Sequence, residues 1–534
     1  MQYNLTGNFQ YDLGIYGLKK ILDFFKENYK TDGNFYIEVD KKPEEILELI
    51  ILKLISQKSG DYFLEKVADT LFKDDKEAKK KFEKLSKEKT EPFVKINLEN
   101  LVKKEKNLEK VIKDLSKEIY GFLSENFSEK SFSVQEIEDI LWSKTVNLLN
   151  NILLNFQADM KARGKEVFQR AVDKLYKDIG VETCSFCHKN KGKRITRDTF
   201  FFAPAQFNAF WFGEPSIFIC PYCLASNLAI TQSFTFLGNE LNAITVYRPN
   251  LQDLEDLNEG LKISDIGQLT KKIIDYEKLQ LKKEGYIRDL QILEFYLDPQ
   301  NPNLDFYLLT EETIQNLIKL ENELNKLYTN YKDSLWGQVK DKQGYQTINL
   351  SKELLYAIVN NQKLIVIVQR FLKLALMAES FRIKEKEGKI KKQNIPVKGF
   401  YISVLLHILK MHFKLEEGLD MDMYNAFKEY GQFLRRRVFS SLSESGEINW
   451  NTFNNKIISL SNSFLDASKG TFNQFMETLT RVMISYDAPI DSSLLQMITK
   501  DTYKDIATTI ALAVMTRKPG EKVEEKKETV GTEI

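Results

Sequence analysis

Two Cys-x-x-Cys pairs constrain this chain more than any other feature of its sequence. The pairs, Cys184 with Cys187 and Cys220 with Cys223, contain all 4 cysteines of the 534 residues. Two residues between paired cysteines let both thiolates bind one side of a tetrahedral ion, and two such pairs complete a Cys₄ shell. Thiolates favour zinc over magnesium or calcium, and a full shell leaves no open position. We therefore predict a structural zinc site at these four residues.

Two alternatives to zinc remain open. A thioredoxin-like redox pair needs only one Cys-x-x-Cys and a βαβ setting, and unmetallated core cysteines are the other alternative. The 32 residues between Cys187 and Cys220 exceed the roughly 15–20 of a compact zinc ribbon, so we expect an extended loop there. We expect His188 to be a bystander beside the site. His407 and His412, five apart on a predicted helix, are expected to be packing or surface residues rather than a metal pair.

The segment between the cysteine pairs carries candidate nucleic-acid contacts. Basic side chains neutralise phosphates, and Gln or Asn side chains read adenine edges. The candidates are Lys191, Lys193, Arg194, Arg197, Gln206 and Asn208. The alternative is that the aromatic run over residues 200–212 forms the core of the ribbon and that the lysines are solvated.

The pattern predicts a mostly α, multidomain protein, with an α+β N-terminal part, a zinc-ribbon-like insert and a C-terminal helical bundle. Ser133 and Glu136 have the spacing of a capping box and predict a helix start. We expect a mostly helical N-terminal domain over residues 1–180 and a zinc-binding insert of short strands over 181–249. A helical middle region with a basic connector follows over 250–398, then the bundle over 399–516 and a disordered tail over 517–534.

Composition describes a soluble globular protein without a global field for polyanions. The 77 basic and 76 acidic residues nearly cancel, so any nucleic-acid contact must come from local patches. The opening MQYNLTGNFQYDLG lacks the basic start and apolar run of a signal peptide. No uninterrupted apolar run has the length of a membrane span, and we expect a cytoplasmic protein. Phosphate-loop, HExxH, GxGxxG and kinase motifs are missing from the sequence, which gives no reason to predict an enzyme.

Three basic segments are candidates for contacts with nucleic acid. Residues 73–89 hold eight lysines against five acidic residues, which is more typical of a solvated helix face. The connector over residues 382–398 holds seven basic and two acidic residues and is a better candidate for tracking a strand. In the third, Arg435, Arg436 and Arg437 spread around a predicted helix, so they are expected to contact a nucleic-acid backbone; a surface salt-bridge cluster is the alternative. Phe427, Gly431, Leu434 and Val438 form one apolar seam there, and Gly431 allows close helix approach.

Two Cys-x-x-Cys pairs around a long aromatic loop, in a largely helical chain, resemble the CXXC–CXXC family of large subunits of type I CRISPR Cascade complexes, mainly of the I-B and I-A groups. The opening LTGNFQYDLGIYGL, with Gly7, Asp12 and Gly14 before an apolar helix, is similar to that family's start. The YGQFLRRR element in a C-terminal bundle is a third, weaker similarity.

The resemblance implies a non-catalytic role in antiviral defence within a ribonucleoprotein complex. A subunit of this kind binds crRNA and backbone subunits, recognises the protospacer-adjacent motif in target double-stranded DNA, aids duplex opening and recruits a helicase-nuclease. A separate small subunit can be made from an internal start, for which Met411, Met421 or Met423 would serve. Two other functions stay open: a zinc-ribbon scaffold in another assembly, and a zinc-containing nuclease.

Overall fold

The computed structural model describes residues 1–151, 162–195, 217–236, 242–261, 266–296, 303–331, 334–340, 344–389, 396–443 and 449–516. The chain forms two compact units. The first contains Met1–Ser264 and Asp289–Leu308, and the second contains Asp265–Arg288 and Leu309–Ile534. Arg197, Gln206, Asn208 and the C-terminal tail over residues 517–534 lie outside the described residues.

Helices are the main elements of the described part of the first unit. In the described part of this unit the α-helices are α1 (Phe9–Phe25), α2 (Pro43–Ser56), α3 (Gly60–Leu71), α4 (Lys76–Glu88), α5 (Leu98–Glu105), α6 (Leu108–Asn126), α7 (Val134–Val146), α8 (Glu166–Tyr176), α9 (Pro221–Leu228) and α10 (Leu251–Asn258). The Ser133 hydroxyl accepts a hydrogen bond from the Glu136 backbone N–H at 3.1 Å, which confirms the predicted start of α7.

Three small sheets accompany these helices. Their strands are β1 (Gln2–Asn4), β2 (Lys30–Thr31), β3 (Tyr36–Glu38), β4 (Lys193–Arg194), β5 (Phe218–Ile219), β6 (Thr235–Phe236), β7 (Asn242–Tyr247), β8 (Leu290–Tyr296) and β9 (Asn303–Leu309). The strand orders are β1-β3-β2, β4-β5 and β6-β7-β8-β9. Strands β7 and β8 run antiparallel, with Asn242 opposite Tyr296 and Tyr247 opposite Gln291.

Helix α1 packs closely against the residues that follow the second cysteine pair because two of its glycines admit a neighbouring backbone. A Cβ at Gly14 would lie 2.9 Å from the Asn227 Cα, and one at Gly17 would overlap the Ala229 carbonyl oxygen. Any larger residue would push α1 away from α9 and from the 3₁₀ helix Ala229–Ser233 that follows it. The opening segment thus forms a packing element against the residues that follow the second cysteine pair.

Asp12 on α1 holds the turn that precedes this helix. Its carboxylate accepts hydrogen bonds from the backbone N–H of Thr6 at 2.8 Å and of Gly7 at 3.0 Å, and from the Tyr247 hydroxyl at 2.8 Å. Gly7 has φ +80°, in the left-handed region. Burial raises the pKa of Asp12 to about 6, although these hydrogen bonds favour the charged form.

The described residues of the second unit form a helical assembly with one sheet. Its described α-helices are α11 (Ile266–Glu284), α12 (Glu311–Lys319), α13 (Glu321–Asn330), α14 (Leu350–Val359), α15 (Leu364–Lys386), α16 (Ile402–Leu415), α17 (Met421–Ser443), α18 (Trp450–Lys469), α19 (Phe472–Ser485), α20 (Ser492–Gln496) and α21 (Tyr503–Val514). Its strands are β10 (Trp336–Lys340), β11 (Tyr345–Asn349) and β12 (Val397–Gly399), in the order β11-β10-β12.

The predicted seam of α17 is confirmed. Phe427, Leu434 and Val438 are fully buried, and Gly431 lies against α21. A Cβ at Gly431 would lie 2.7 Å from the Ala513 Cβ and 3.0 Å from the Ile510 carbonyl oxygen. This glycine therefore sets the distance between the two helices.

The mostly helical fold with a C-terminal bundle is confirmed, but two local predictions need correction. Residues 250–398 are not uniformly helical, because β8 to β12 all lie wholly or mainly in this range. These strands are short, so their alternating pattern of side chains is hard to recognise between the longer helical patterns. The second cysteine pair opens a helix, α9, rather than a strand and loop, because Pro221 occupies its first turn and Cys220 caps it.

Candidate metal centre

The four cysteines predicted as ligands meet in one cluster in the first unit. The Sγ atoms of Cys184, Cys187, Cys220 and Cys223 all lie within 4.8 Å of one another. The Cys187 and Cys220 Sγ atoms are 3.7 Å apart. A tetrahedron with metal–sulfur bonds of about 2.3 Å has edges of about 3.8 Å. The thiols are therefore arranged to hold one metal ion, and their geometry is compatible with structural zinc.

The first pair occupies a tight loop closed by backbone hydrogen bonds. The Cys184 N–H donates to the Asn190 carbonyl at 2.8 Å, and the His188 N–H donates to the Cys184 carbonyl at 3.0 Å. His188 has φ +53°, so the chain reverses directly after the second cysteine of the pair. The His188 side chain is exposed, and the cluster found among the described residues does not include it.

The second pair is positioned by the start of α9. Cys220 is the N-cap, and its Sγ accepts a hydrogen bond from the Cys223 N–H at 3.5 Å. Cys223 lies one turn into the helix, so both sulfurs face the same side. The N-terminal end of a helix stabilises negative charge, which would support thiolates at these positions once a cation is bound.

A short antiparallel pair of strands joins the two cysteine pairs. Lys193 of β4 lies opposite Ile219 of β5, directly before Cys220. Gly192 allows this approach, since a Cβ there would lie 3.0 Å from the Ile219 backbone. The Ser185 N–H also donates to the Phe218 carbonyl at 2.9 Å. The long segment between the pairs thus returns to its starting point, as the predicted closed loop requires.

Two neighbouring side chains contact the sulfurs directly. The Tyr11 hydroxyl lies 3.2 Å from the Cys223 Sγ, and the Tyr11 ring stacks on Phe186 with centroids 4.5 Å apart. The Asn190 amide nitrogen lies 3.9 Å from the Sγ atoms of both Cys187 and Cys220. Donors in these positions orient metal-bound thiolates and stabilise their charge.

The thiols share protons with one another because they are close and largely buried. Hydrogen bonding with Cys184 and then Cys220 lowers the pKa of Cys187 below its usual range. Hydrogen bonding with Cys184 and then Cys187 raises the pKa of Cys223 well above its usual range. Full ionisation of the cluster therefore needs a compensating cation, which is the chemistry of a closed metal site.

The three described candidates beside the cluster differ in exposure. Lys191 and Arg194 are exposed, Lys191 in a bridge to Thr183 and Arg194 at the end of β4. Lys193 is half-buried, and its ammonium donates to the Lys174 carbonyl at 2.6 Å. Lys193 therefore has a structural contact on α8, whereas the other two side chains face solvent.

The three arginines of α17 also differ, which corrects the expectation that all three face a partner. Arg435 is buried: it donates to the Val514 carbonyl at 3.2 Å and lies over the Phe453 ring. Arg437 donates to the Tyr486 carbonyl at 3.1 Å and pairs with the Asp487 carboxylate. Only Arg436 of the three is exposed. The helix turns each successive side chain by about 100°, so one of three neighbours readily faces the core.

Sequence reasoning found the four cysteines that cluster and missed the residues that support them. Tyr11 lies within the opening motif, but a tyrosine on an apolar helix carries no signal that it reaches a thiol 212 residues away. Asn190 follows Cys187 by three residues and is equally inconspicuous. The two histidines of α16 are packing residues, as expected: His412 Nε2 lies 2.7 Å from Asp505 Oδ1, and His407 Nε2 lies 2.8 Å from the Glu323 carbonyl oxygen.

Comparison with known proteins gives no family for this chain. No protein-family model matches it. No curated protein matches it either. Within the part of the chain that the structure describes, no helix combines the length and apolarity needed to cross a membrane.

Proposed function

We propose that the four-thiol cluster binds one structural zinc ion and that this chain is the large, non-catalytic subunit of a type I CRISPR Cascade effector complex. In that role it recognises the protospacer-adjacent motif in duplex DNA, aids duplex opening and recruits the helicase-nuclease. Zinc is the proposed metal because four thiolates form a soft, closed tetrahedral shell. The ion would fold this region and would take no part in a reaction.

One observation carries the proposal. The opening segment and the two Cys-x-x-Cys pairs, which are far apart in the sequence, meet at one place through the contact between Tyr11 and Cys223. These are the two sequence features on which the resemblance chiefly rests. Their convergence supports the interpretation that they belong to one architecture rather than occurring together by chance.

Exposed cations within each of the two units support a nucleic-acid partner. Lys191 and Arg194 are exposed on the arm that leads from the first cysteine pair into residues 196–216. Arg436 offers a further exposed cation on α17. Such side chains contribute phosphate contacts, whereas base pairing with the crRNA would supply most of the sequence specificity. The near balance of 77 basic and 76 acidic residues fits a subunit whose partners hold the guide.

The proposed partners are crRNA, target DNA, Cascade backbone subunits, a small subunit and a helicase-nuclease, acting together in the cytoplasm. The second candidate function is a zinc-ribbon scaffold of another assembly, which the same closed thiol site would serve equally well. A zinc-containing nuclease is a third, and it requires metal-dependent turnover by the isolated protein. The closed Cys₄ geometry favours the two binding functions.

Co-expression tests the assignment. The tagged chain is produced with candidate backbone subunits and a guide array, purified, and its co-purifying nucleic acid is sequenced. We expect crRNA of uniform length and binding of target duplex only beside a short motif. Elution of the chain alone, with zinc and without RNA, would favour the scaffold function.

A matched pair of variants separates metal binding from DNA binding. Replacing Lys191 and Arg194 with Gln should leave the zinc content unchanged and weaken binding of target duplex by the assembled complex. The control replaces Lys117 and Lys456 with Gln, two exposed lysines remote in sequence from the site. It removes the same amount of positive charge and should have little effect on binding of target duplex. Equal losses in both double variants would count against a local contact.

A further inference from the structure

The sheet of the second unit has one face packed and one face open. Gly337 of β10 lies under Phe400, whose ring a Cβ at that position would overlap, and Phe400 stacks on Phe371 of α15 at 5.2 Å. Val397 of β12 is buried on the same side. This side of the sheet is therefore fixed against α15.

The register places a distinct set of side chains on the other side. Trp336, Gln338 and Lys340 alternate along β10, and they lie opposite Asn349, Thr347 and Tyr345 of β11 respectively. Lys398 of β12 lies opposite Gln338. Side chains directly opposite each other share a face. We name this surface, formed by Trp336, Gln338, Lys340, Tyr345, Thr347 and Lys398, the outer sheet face.

Aromatic rings and positive charge are combined on the outer sheet face. Trp336 is 50% exposed. The Lys398 ammonium lies 3.9 Å from the Tyr345 ring centroid, and the Lys340 ammonium lies 5.8 Å from it. The three strands contain both these lysines and no acidic residue. An exposed indole at one end of this face and two lysines around a tyrosine ring at the other match the chemistry of a polyanion with flat bases.

We propose that the outer sheet face binds single-stranded nucleic acid. Trp336 would stack on one base, because any base offers a π-face to an aromatic ring. The half-buried Tyr345 would stack on another as the Lys398 ammonium above its ring moves to a phosphate. The two rings are separated by four residues along the sheet, about 13 Å at roughly 3.3 Å per residue, so they form two stacking positions rather than one. Lys340 and Lys398 contact the phosphates beside Tyr345, and Gln338 and Thr347 offer polar contacts between the two rings.

The inference also gives a place to the basic connector found in the sequence. Lys398 is the last residue of that connector and belongs to β12. The connector therefore ends on the outer sheet face. In the setting of the proposed function, the bound strand is the one displaced when target duplex opens, and in this respect the inference rests on that function.

Binding of the isolated full-length chain to a fluorescein-labelled oligothymidylate of about 12 nucleotides tests the surface. We expect saturable binding, quenching of tryptophan fluorescence and weaker binding of duplex of the same length. Trp336→Ala should weaken oligonucleotide binding by roughly 5- to 150-fold, the loss measured when a stacking ring is truncated. Trp450→Ala, which removes a similarly exposed indole from α18, should leave it within about twofold.

Salt dependence tests the lysines separately. Replacing Lys340 and Lys398 with Gln should reduce the slope of log affinity against log salt by about 1.4, at about 0.7 per single-strand phosphate contact. The double variant Lys456→Gln with Lys500→Gln has the same net charge and should keep the original slope. Oligouridylate in place of oligothymidylate distinguishes RNA from DNA as the source of the strand.

Several results would overturn the inference. These are an unchanged affinity in Trp336→Ala, an unchanged salt slope in the lysine variant, and concentration-dependent dimerisation that Trp336→Ala abolishes, which would identify a second copy as the occupant. The assay contains no guide and no other subunit. Its failure therefore leaves the effector proposal standing, whereas oligonucleotide binding by a chain that never assembles with crRNA would retain the surface and reject the effector role.

Discussion

The Tyr11 hydroxyl lies 3.2 Å from the Cys223 Sγ, so the first helix of the chain contacts a thiol cluster formed 212 residues later. The hydroxyl is buried, and a thiolate bound to a metal accepts its proton as a hydrogen bond. The contact makes the opening helix part of the surroundings of the candidate metal site. It also explains how residues at the start of the chain and around the cysteines come to form one unit.

Removal of the sulfur ligands tests the site itself. The variant Cys184→Ser with Cys220→Ser should lose the proposed zinc ion and destabilise the first unit, because metal-binding energy contributes to folding. Elemental analysis of the purified protein measures the metal, and thermal unfolding measures the stability. His188→Ala is the control, since this side chain is exposed. Retention of about one zinc ion per chain by the double serine variant contradicts the Cys₄ site.

Loss of the Tyr11 hydroxyl should weaken metal binding without removing a ligand. Tyr11→Phe keeps the ring that stacks on Phe186 and deletes only the hydrogen bond to Cys223. We expect zinc affinity to fall by about 10- to 100-fold, as is typical for partners of metal ligands. Chelator competition measures it. Tyr16→Phe, another buried tyrosine of α1, should not change the affinity; an equal loss there would indicate a general packing effect.

Two glycine-to-alanine substitutions should change the free energy of unfolding in opposite directions. Gly17→Ala places a methyl group onto the Ala229 carbonyl and should lower the free energy of unfolding by about 1–3 kcal/mol or more. Gly121 in α6 has nothing within 4 Å of an added Cβ. Gly121→Ala should therefore raise the free energy of unfolding by about 0.5–1 kcal/mol through helix propensity. Chemical denaturation of both variants checks this, and a tolerated Gly17→Ala would argue against the close crossing of α1.

The buried carboxyl of Asp12 should make stability depend on pH in a defined direction. Its pKa in the folded protein is raised to about 6, whereas the unfolded chain ionises near about 4. The folded state therefore binds the proton more tightly. This contribution is fully present below about pH 4 and is lost as pH rises through about 6, by up to about 3 kcal/mol.

The difference between wild type and Asp12→Asn isolates that contribution. Asparagine cannot ionise. The free energy of unfolding of wild type minus that of Asp12→Asn should therefore decrease as pH rises from about 4 to about 6. Denaturant unfolding at a series of pH values measures this difference, and other titrating groups cancel in the comparison. An increase in this difference over the same interval would show that the hydrogen bonds from Thr6, Gly7 and Tyr247 stabilise the carboxylate more than burial destabilises it.

Replacing Arg435 and replacing Arg436, two neighbours on α17, should affect different properties of the protein. Arg436→Ala should reduce the salt slope of duplex binding by about 0.9 with little change in stability, because one exposed phosphate contact is lost. Arg435→Ala should instead destabilise the second unit by about 1–3 kcal/mol, since Val514 loses its buried donor. Salt titrations of the assembled complex and unfolding of the free chain measure the two effects. An unchanged slope in Arg436→Ala excludes a phosphate contact there.

The sequence by itself determined which four cysteines cluster, the mostly helical architecture, the start of α7 and the seam of α17. Each depends on residues a few positions apart: two residues between cysteines, three between Ser133 and Glu136, and a helical period along Phe427, Gly431, Leu434 and Val438. Local spacing of this kind is fixed by backbone geometry, so it can be recognised in the sequence before the fold is known.

Only the tertiary structure decided which residues surround those features. The contact of Tyr11 with Cys223, the burial of Arg435 against Phe453 and the alignment of Trp336 with Tyr345 on one sheet face depend on long-range packing. Neighbouring residues on a helix have nearly the same sequence signal, and a rotation of about 100° per residue decides which of them is buried. Short strands such as β10 and β12 form because a distant partner strand supplies their hydrogen bonds. The local sequence pattern does not predict which strand that partner is.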